Sequence, residues 1–209
     1  MLKQIIIGLI SFLTLSCLAQ NEPNNDAETT RVLFIFDGSN SMNAQWQSSS
    51  KISIAKKLMK ETLDSLKGVK NVELALRMYG HQFKIYPGQQ NCDDTKLEVP
   101  FSPGDANIDR IKTRIRSLSP QGTTPIARSL ERAANDFPEC DNCRNVIVLI
   151  TDGIEACDED PCAVARALRE KGIILKPFVI GIGIDPLKLL SLKCIGKYYD
   201  ASSEATFKS

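Results

Sequence analysis

Residues 31–41, Arg-Val-Leu-Phe-Ile-Phe-Asp-Gly-Ser-Asn-Ser, and residues 146–153, Val-Ile-Val-Leu-Ile-Thr-Asp-Gly, follow one pattern. In each, a short unbroken apolar run meets an acid followed by a glycine. Runs of this length bounded by turn formers read as strands buried on both faces, the kind found inside parallel sheets. The segments around them read as helices and further strands. Ile54, Ala55, Leu58, Met59, Thr62, Leu63 and Leu66 recur at helical spacing over residues 51–66, and Gly68 ends that helix. Val72, Leu74, Leu76 and Met78 alternate as a strand does, and Gly80 turns the chain towards a short edge strand at residues 83–86. Residues 89–103 read as irregular. Ile108, Ile111, Ile115 and Leu118 mark a second helix, and Pro125 opens a third that runs to about residue 136. Asp160 is an N-cap with Pro161 at the first helical position and Gly172 at the end. Residues 173–182 form another apolar strand, weakened by Pro177, and Tyr198-Tyr199 adds a last short one.

Strands that alternate with helices predict an α/β fold: a doubly wound, mainly parallel sheet with helices on both faces. Ligands in such folds collect beyond the carboxyl ends of the strands. Asp37 and Asp152 follow the two most apolar strands and are therefore expected at one rim. Asp37-Gly-Ser39-Asn-Ser41 adds two hydroxyls on a tight loop, and Thr124, just before the helix-opening Pro125, adds a third. Asp37, Ser39, Ser41, Thr124 and Asp152 make a hard-oxygen set without thiolate or imidazole, which suits Mg²⁺ or Mn²⁺.

With these motifs in order, the sequence resembles the von Willebrand factor type A domain and its metal-ion-dependent adhesion site. The resemblance covers residues 31–201, in a domain drawn here as 31–209. Residues 80–94 (GHQFKIYPGQQNCDD), 123–130 (TTPIARSL), 150–162 (ITDGIEACDEDPC) and the later Cys194 resemble an exported bacterial subgroup. The resemblance implies that Ser39, Ser41 and Thr124 meet a metal through hydroxyls, with Thr124 preferred to Thr123. Asp37 and Asp152 would act largely through bound water. Neutral direct ligands leave the cation's charge partly uncompensated, so an open coordination position is expected to take an Asp or Glu carboxylate from a protein partner. Related domains also couple binding to movement of a last helix. Here Ser203-Glu204 begins one more helical turn and the sequence stops at Ser209, so a truncated C-terminus lacking that helix is expected.

Other functions find little footing. With 26 Lys+Arg against 25 Asp+Glu, no charge excess draws nucleic acid or an anionic membrane. The single histidine and the absence of GxSxG, P-loop, GxGxxG and HExxH patterns argue against the common hydrolase, nucleotide and zinc-protease chemistries. A Mg²⁺-dependent phosphatase of the haloacid dehalogenase kind is the rival reading, but it requires an acid two positions after Asp37, where Ser39 stands. His81 reads as a loop hydrogen-bonder, and Asp93-Asp94 and Asp158-Glu-Asp160 read as solvated acidic loops. Trp46 reads equally as an exposed partner contact or as a cover for the first helix.

The N-terminus addresses the chain to export. Lys3 precedes an apolar run over residues 5–15, too short to span a bilayer as a mature helix. Two processing routes fit: cleavage after Ala19, or a lipoprotein signal with Cys17 acylated, the one route to a membrane. On the first route residues 1–19 are expected to be the signal peptide, with residues 20–30 a flexible leader. The product would be periplasmic, cell-surface or secreted. Six cysteines then remain, which suits disulfides in an oxidising compartment. Cys140–Cys143 and Cys157–Cys162 are the local candidates among 15 connectivities, leaving Cys92 for Cys194.

Overall fold

The computed structural model describes residues 28–46, 49–175, 179–181, 192–195 and 198–199. The expected signal peptide, residues 20–27 of the expected leader, Pro177 and the expected turn after Ser203 lie outside them. Nine strands and four α-helices are described: β1 (Thr29–Asp37), β2 (Gln45–Trp46), β3 (Ser49–Ser50), α1 (Lys51–Ser65), β4 (Val72–Tyr79), β5 (Thr95–Pro103), α2 (Gly104–Arg116), α3 (Ile126–Ala133), β6 (Cys143–Thr151), α4 (Pro161–Glu170), β7 (Ile174–Leu175), β8 (Val179–Gly181) and β9 (Tyr198–Tyr199). A 3-10 helix, Asn40–Asn43, follows β1. The main sheet has the order β5-β4-β1-β6-β8-β9, with β7 also on β6. Its pairings are parallel except β4 with β5. This is the doubly wound, mainly parallel architecture expected.

β1 lies in the middle because its side chains suit burial on both faces. Phe34 and Phe36 point into one core with Ile54, Leu58 and Leu63 of α1 and Ile108, Ile111 and Ile115 of α2. Leu33 and Ile35 point into the other with Ile126 and Leu130 of α3 and Ala165 and Leu168 of α4. Each such side chain contributes about 1.5–3 kcal/mol on burial, which is why the run carries no polar break. β1 begins two residues before the apolar run, inside the stretch read as leader: Thr29 and Thr30 pair with Cys143 and Arg144 of β6. Backbone pairing there needs no apolar side chain.

The edge strand is not where the sequence put it. Residues 83–86 form no strand, and residues 95–103, read as irregular, are β5. Leu97, Val99 and Phe101 do alternate with Lys96, Glu98 and Pro100, but the prolines mask the pattern. An edge strand tolerates them, and Pro100 falls in the register break between the Leu74–Ser102 and Leu76–Val99 pairs, where no ladder bond is lost. Trp46 is half-buried against the α1–α2 core, so it covers the helix.

The disulfides are Cys92–Cys157, Cys140–Cys143 and Cys162–Cys194. The first local pair is as expected; Cys157–Cys162 and Cys92–Cys194 are replaced. Asp160 caps α4 by accepting from the N–H groups of Cys162 and Ala163, which fixes Cys162 in the first turn. Cys162 bonds there to Cys194, whereas Cys157, still in the loop, reaches the segment after β4. Sequence proximity is a weak guide when a helix start intervenes, because the Cβ vectors must converge.

Candidate metal centre

Asp37 closes β1, and Asp152 follows Thr151, the last residue of the neighbouring β6. The parallel register, Phe36 opposite Ile150, carries both carboxylates to one rim. Asp37 is fully buried, and both of its carboxylate oxygens accept hydrogen bonds. Its Oδ1 accepts from the Ser39 N–H at 2.7 Å, the local bond that bends the chain after the strand. Its Oδ2 accepts from Tyr79 OH at 2.8 Å and from Thr151 Oγ1 at 2.7 Å. The 3-10 helix then turns Ser41 back over Ser39, with the two hydroxyl oxygens 3.0 Å apart. Ser41 Oγ donates to Asp152 Oδ1 at 2.7 Å, so Asp37, Ser39, Ser41 and Asp152 form one continuous polar arc. Ser41 is exposed, so the arc opens to solvent.

Thr124 lies beside the arc, next to Gly153. A methyl group placed on Gly153 would stand 3.7 Å from Thr124 Cγ2 and 4.0 Å from both Thr124 Oγ1 and Ser41 Oγ. The Thr124 and Ser41 side chains therefore both border Gly153. The hydroxyl of the adjacent Thr123 is buried without a hydrogen-bond partner. Glu155 holds this arrangement, because its carboxylate accepts from the N–H groups of Ala127, Ala156 and Cys157. It thereby straps the start of α3 to the loop after β6, aided by Ala156 N–H donating to Thr124 O at 3.1 Å. Burial pushes the Glu155 carboxyl upward.

Two carboxylates in one buried rim repel. Burial first, and the charge of Asp152 second, push the Asp37 carboxyl up to about 6, against the lowering effect of bonds from Ser39 and Thr151. Burial and the charge of Asp37 drive the Tyr79 phenol well above its ordinary value, so it remains a proton donor to the carboxylate. A cation at this place would relieve both effects, and the donors fit a hard one. They are three hydroxyls and two carboxylates, without thiolate or imidazole.

Three residues of the site were not read from the sequence. Tyr79 sits opposite Asp37 in the β1–β4 register, which only the pairing reveals. Thr151 was visible as the neighbour of Asp152 but looked like the end of a buried strand. Lys51, first in α1, donates to Asp152 Oδ2 at 2.8 Å. The acidic pair also differs from expectation. Asp94 is 0% exposed instead of solvated, and accepts from the backbone N–H groups of Gln82 and Phe83 and from the Gln82 side chain. The adjacent Asp93 is exposed. His81 does bond within this region, to Glu98 at 2.9 Å. In the other acidic loop Asp160 caps α4, and Glu159 pairs with Arg128.

Comparison with known proteins bears on the fold. The family model of the von Willebrand factor type A domain matches residues 32–207. The protein YwmD of Bacillus subtilis (strain 168) is 31% identical over 216 residues, spanning 100% of this chain and 95% of its own. Among solved structures, BatB from Bacteroides thetaiotaomicron superposes with a TM-score of 0.64 at 20% identity, covering 86% of this chain and 94% of its own. Proximal thread matrix protein 1 from the mussel byssus, in a structure described as having a zinc occupied MIDAS motif, superposes with a TM-score of 0.58 at 21% identity. That match covers 79% of this chain and 39% of the mussel protein. The chain thus belongs to the von Willebrand factor type A domain family.

Proposed function

We propose that residues 31–209 are an exported binding module that coordinates one divalent cation, Mg²⁺ or Mn²⁺, through Asp37, Ser39, Ser41, Thr124 and Asp152, and uses it to hold an Asp or Glu carboxylate of a protein partner. The observation that supports the reading is the continuous arc from Asp37 through Ser39 and Ser41 to Asp152, with Thr124 beside it at Gly153. Bound there, the cation would supply a Lewis-acidic position for the partner's carboxylate. The residues of the chain do the rest. Asp37, itself aimed by Tyr79 and Thr151, orients the Ser39 loop; Asp152 orients the Ser41 hydroxyl. The sheet keeps both carboxylates dry on their inner side, which strengthens their hold on a cation. The mussel protein with an occupied metal motif supports a divalent ion on this fold. Export rests on the N-terminal apolar run together with the three disulfides.

The test is a Mg²⁺ titration followed by thermal unfolding. At tenfold excess over its dissociation constant, a ligand of the folded state adds about 1.4 kcal/mol. For a domain of this size the midpoint should therefore rise by roughly 3–6 °C. Asp37→Ala should show no rise, and neither should Ser41→Ala, whose exposed side chain keeps the core out of the comparison. Equal rises in all three proteins would refute the metal centre. Tyr79→Phe keeps the ring but removes one donor from Asp37. It is expected to weaken Mg²⁺ by roughly tenfold in calorimetry, the usual scale for loss of an orienting partner; an unchanged constant would mean that Ser39 and Thr151 suffice.

A further inference from the structure

The rim already contains a cation belonging to the chain. Lys51 Nζ lies 2.8 Å from Asp152 Oδ2, with 15% of the lysine side chain and 0% of the aspartate side chain exposed. The other oxygen of Asp152 is the one that accepts from Ser41. Lys51 is not a loosely hung surface group. It opens α1 directly after Ser50, which caps that helix, and its own N–H donates to Ala44 O at 3.0 Å, just past the 3-10 helix that carries Ser41. The same local structure therefore fixes the hydroxyl ligand and the ammonium group.

The charges have a definite consequence. Asp37 and Asp152 together carry two negative charges when ionised, and Lys51 cancels one. A divalent cation bound to this set leaves a surplus of one positive charge, whereas the same centre without Lys51 would be neutral. Lys51 therefore weakens the hold on a lone cation and strengthens the hold of the cation-loaded site on an anion. We propose that Lys51 makes cation and carboxylate binding interdependent: the site holds its metal weakly alone and firmly once a carboxylate completes it. Reciprocity then requires that the metal strengthen carboxylate binding by the same factor. The inference rests on the metal-binding reading above and adds to it the residue that sets the coupling.

The experiment is calorimetric titration of Mg²⁺ and Mn²⁺ into the wild type, Lys51→Met, Lys51→Gln, Lys51→Arg and Asp37→Ala, each with and without sodium acetate as the carboxylate probe. Met keeps the stem without the charge, and Gln also keeps an N–H donor for Asp152, so one neutral variant remains if the other folds poorly. Both neutral variants are expected to bind Mg²⁺ alone roughly tenfold more tightly or better, as removal of a like charge a few ångströms away predicts. They should also gain less from acetate than the wild type and Lys51→Arg do. Structural damage loosens a site, so a gain in affinity reports the charge itself. Unchanged or weaker Mg²⁺ binding in the neutral variants, or an equal acetate factor in all proteins, overturns the inference while Asp37-dependent binding in the wild type leaves the metal centre standing. No Asp37-dependent binding in the wild type overturns both.

Discussion

Gly80→Ala is expected to lower the thermal midpoint by about 6–12 °C and to remove the Mg²⁺ response with it. Three loops meet at this residue. The Gly80 N–H donates to Asp94 O, and its carbonyl accepts from the N–H groups of Gly122 and Gln121. Its φ is +65°, and an added Cβ would collide with Thr123 O and stand 2.8 Å from Ser39 N and Cα. The left-handed conformation costs an alanine about 1–2 kcal/mol. Pushing packed backbone aside adds about 1–3 kcal/mol. For this size of domain, about 3 kcal/mol corresponds to the range given. The displaced groups are the loop of Ser39 and the segment that leads into Thr124, so the ligand set separates as the fold loosens. Gly68→Ala is the control. Gly68 has a φ of +76° but nothing within 4 Å of an added Cβ, so only the conformational cost applies and the Mg²⁺ response should survive. A Gly80→Ala protein that unfolds and responds to Mg²⁺ as the wild type does would show that the three loops do not depend on this contact.

Removing Cys92–Cys157 by the double change Cys92→Ser and Cys157→Ser is expected to cost about 4 kcal/mol in denaturant unfolding. The bond spans a sequence separation of 65, and the chain-entropy cost of closing so long a loop in the unfolded state is of that order. Cys140–Cys143 spans 3 residues, and its loss should cost less than half as much. The long bond also ties the loop that follows Asp152, through Cys157, to the segment beside Asp94 that braces Gly80. Its loss should therefore weaken Mg²⁺ binding, whereas loss of the short bond at the opposite end of β6 should not. A destabilisation of the same size from both pairs would contradict the argument from loop length.

The contrast between these two bonds also bears on what could be read in advance. Cys140 and Cys143 are close along the chain, and nothing intervenes that could turn them apart. Cys157 and Cys162 are nearly as close, yet the start of α4 lies between them and sends each to a distant partner. In the same way, the alternation in residues 95–103 was present in the letters but interrupted by prolines, whose tolerance depends on the strand being at the edge. Asp94 looked like a solvated acid until the loops folded back and aimed three backbone and side-chain donors at it.

The amino-acid order alone determined the alternation of strands and helices and the position of Asp37 and Asp152 at strand ends. Both follow from hydrophobic runs and turn residues, which act over a few neighbouring positions. It also carried the hydroxyl pair of Ser39 and Ser41, since two residues on one tight turn need no distant information. The tertiary structure alone decided that Tyr79 aims Asp37, that Cys92 joins Cys157 and Cys162 joins Cys194, and that Lys51 rests against Asp152. Each of these is a contact between segments far apart in the chain. Such contacts depend on sheet register and helix placement, which are set by the packing of the whole domain and leave no mark on the local sequence.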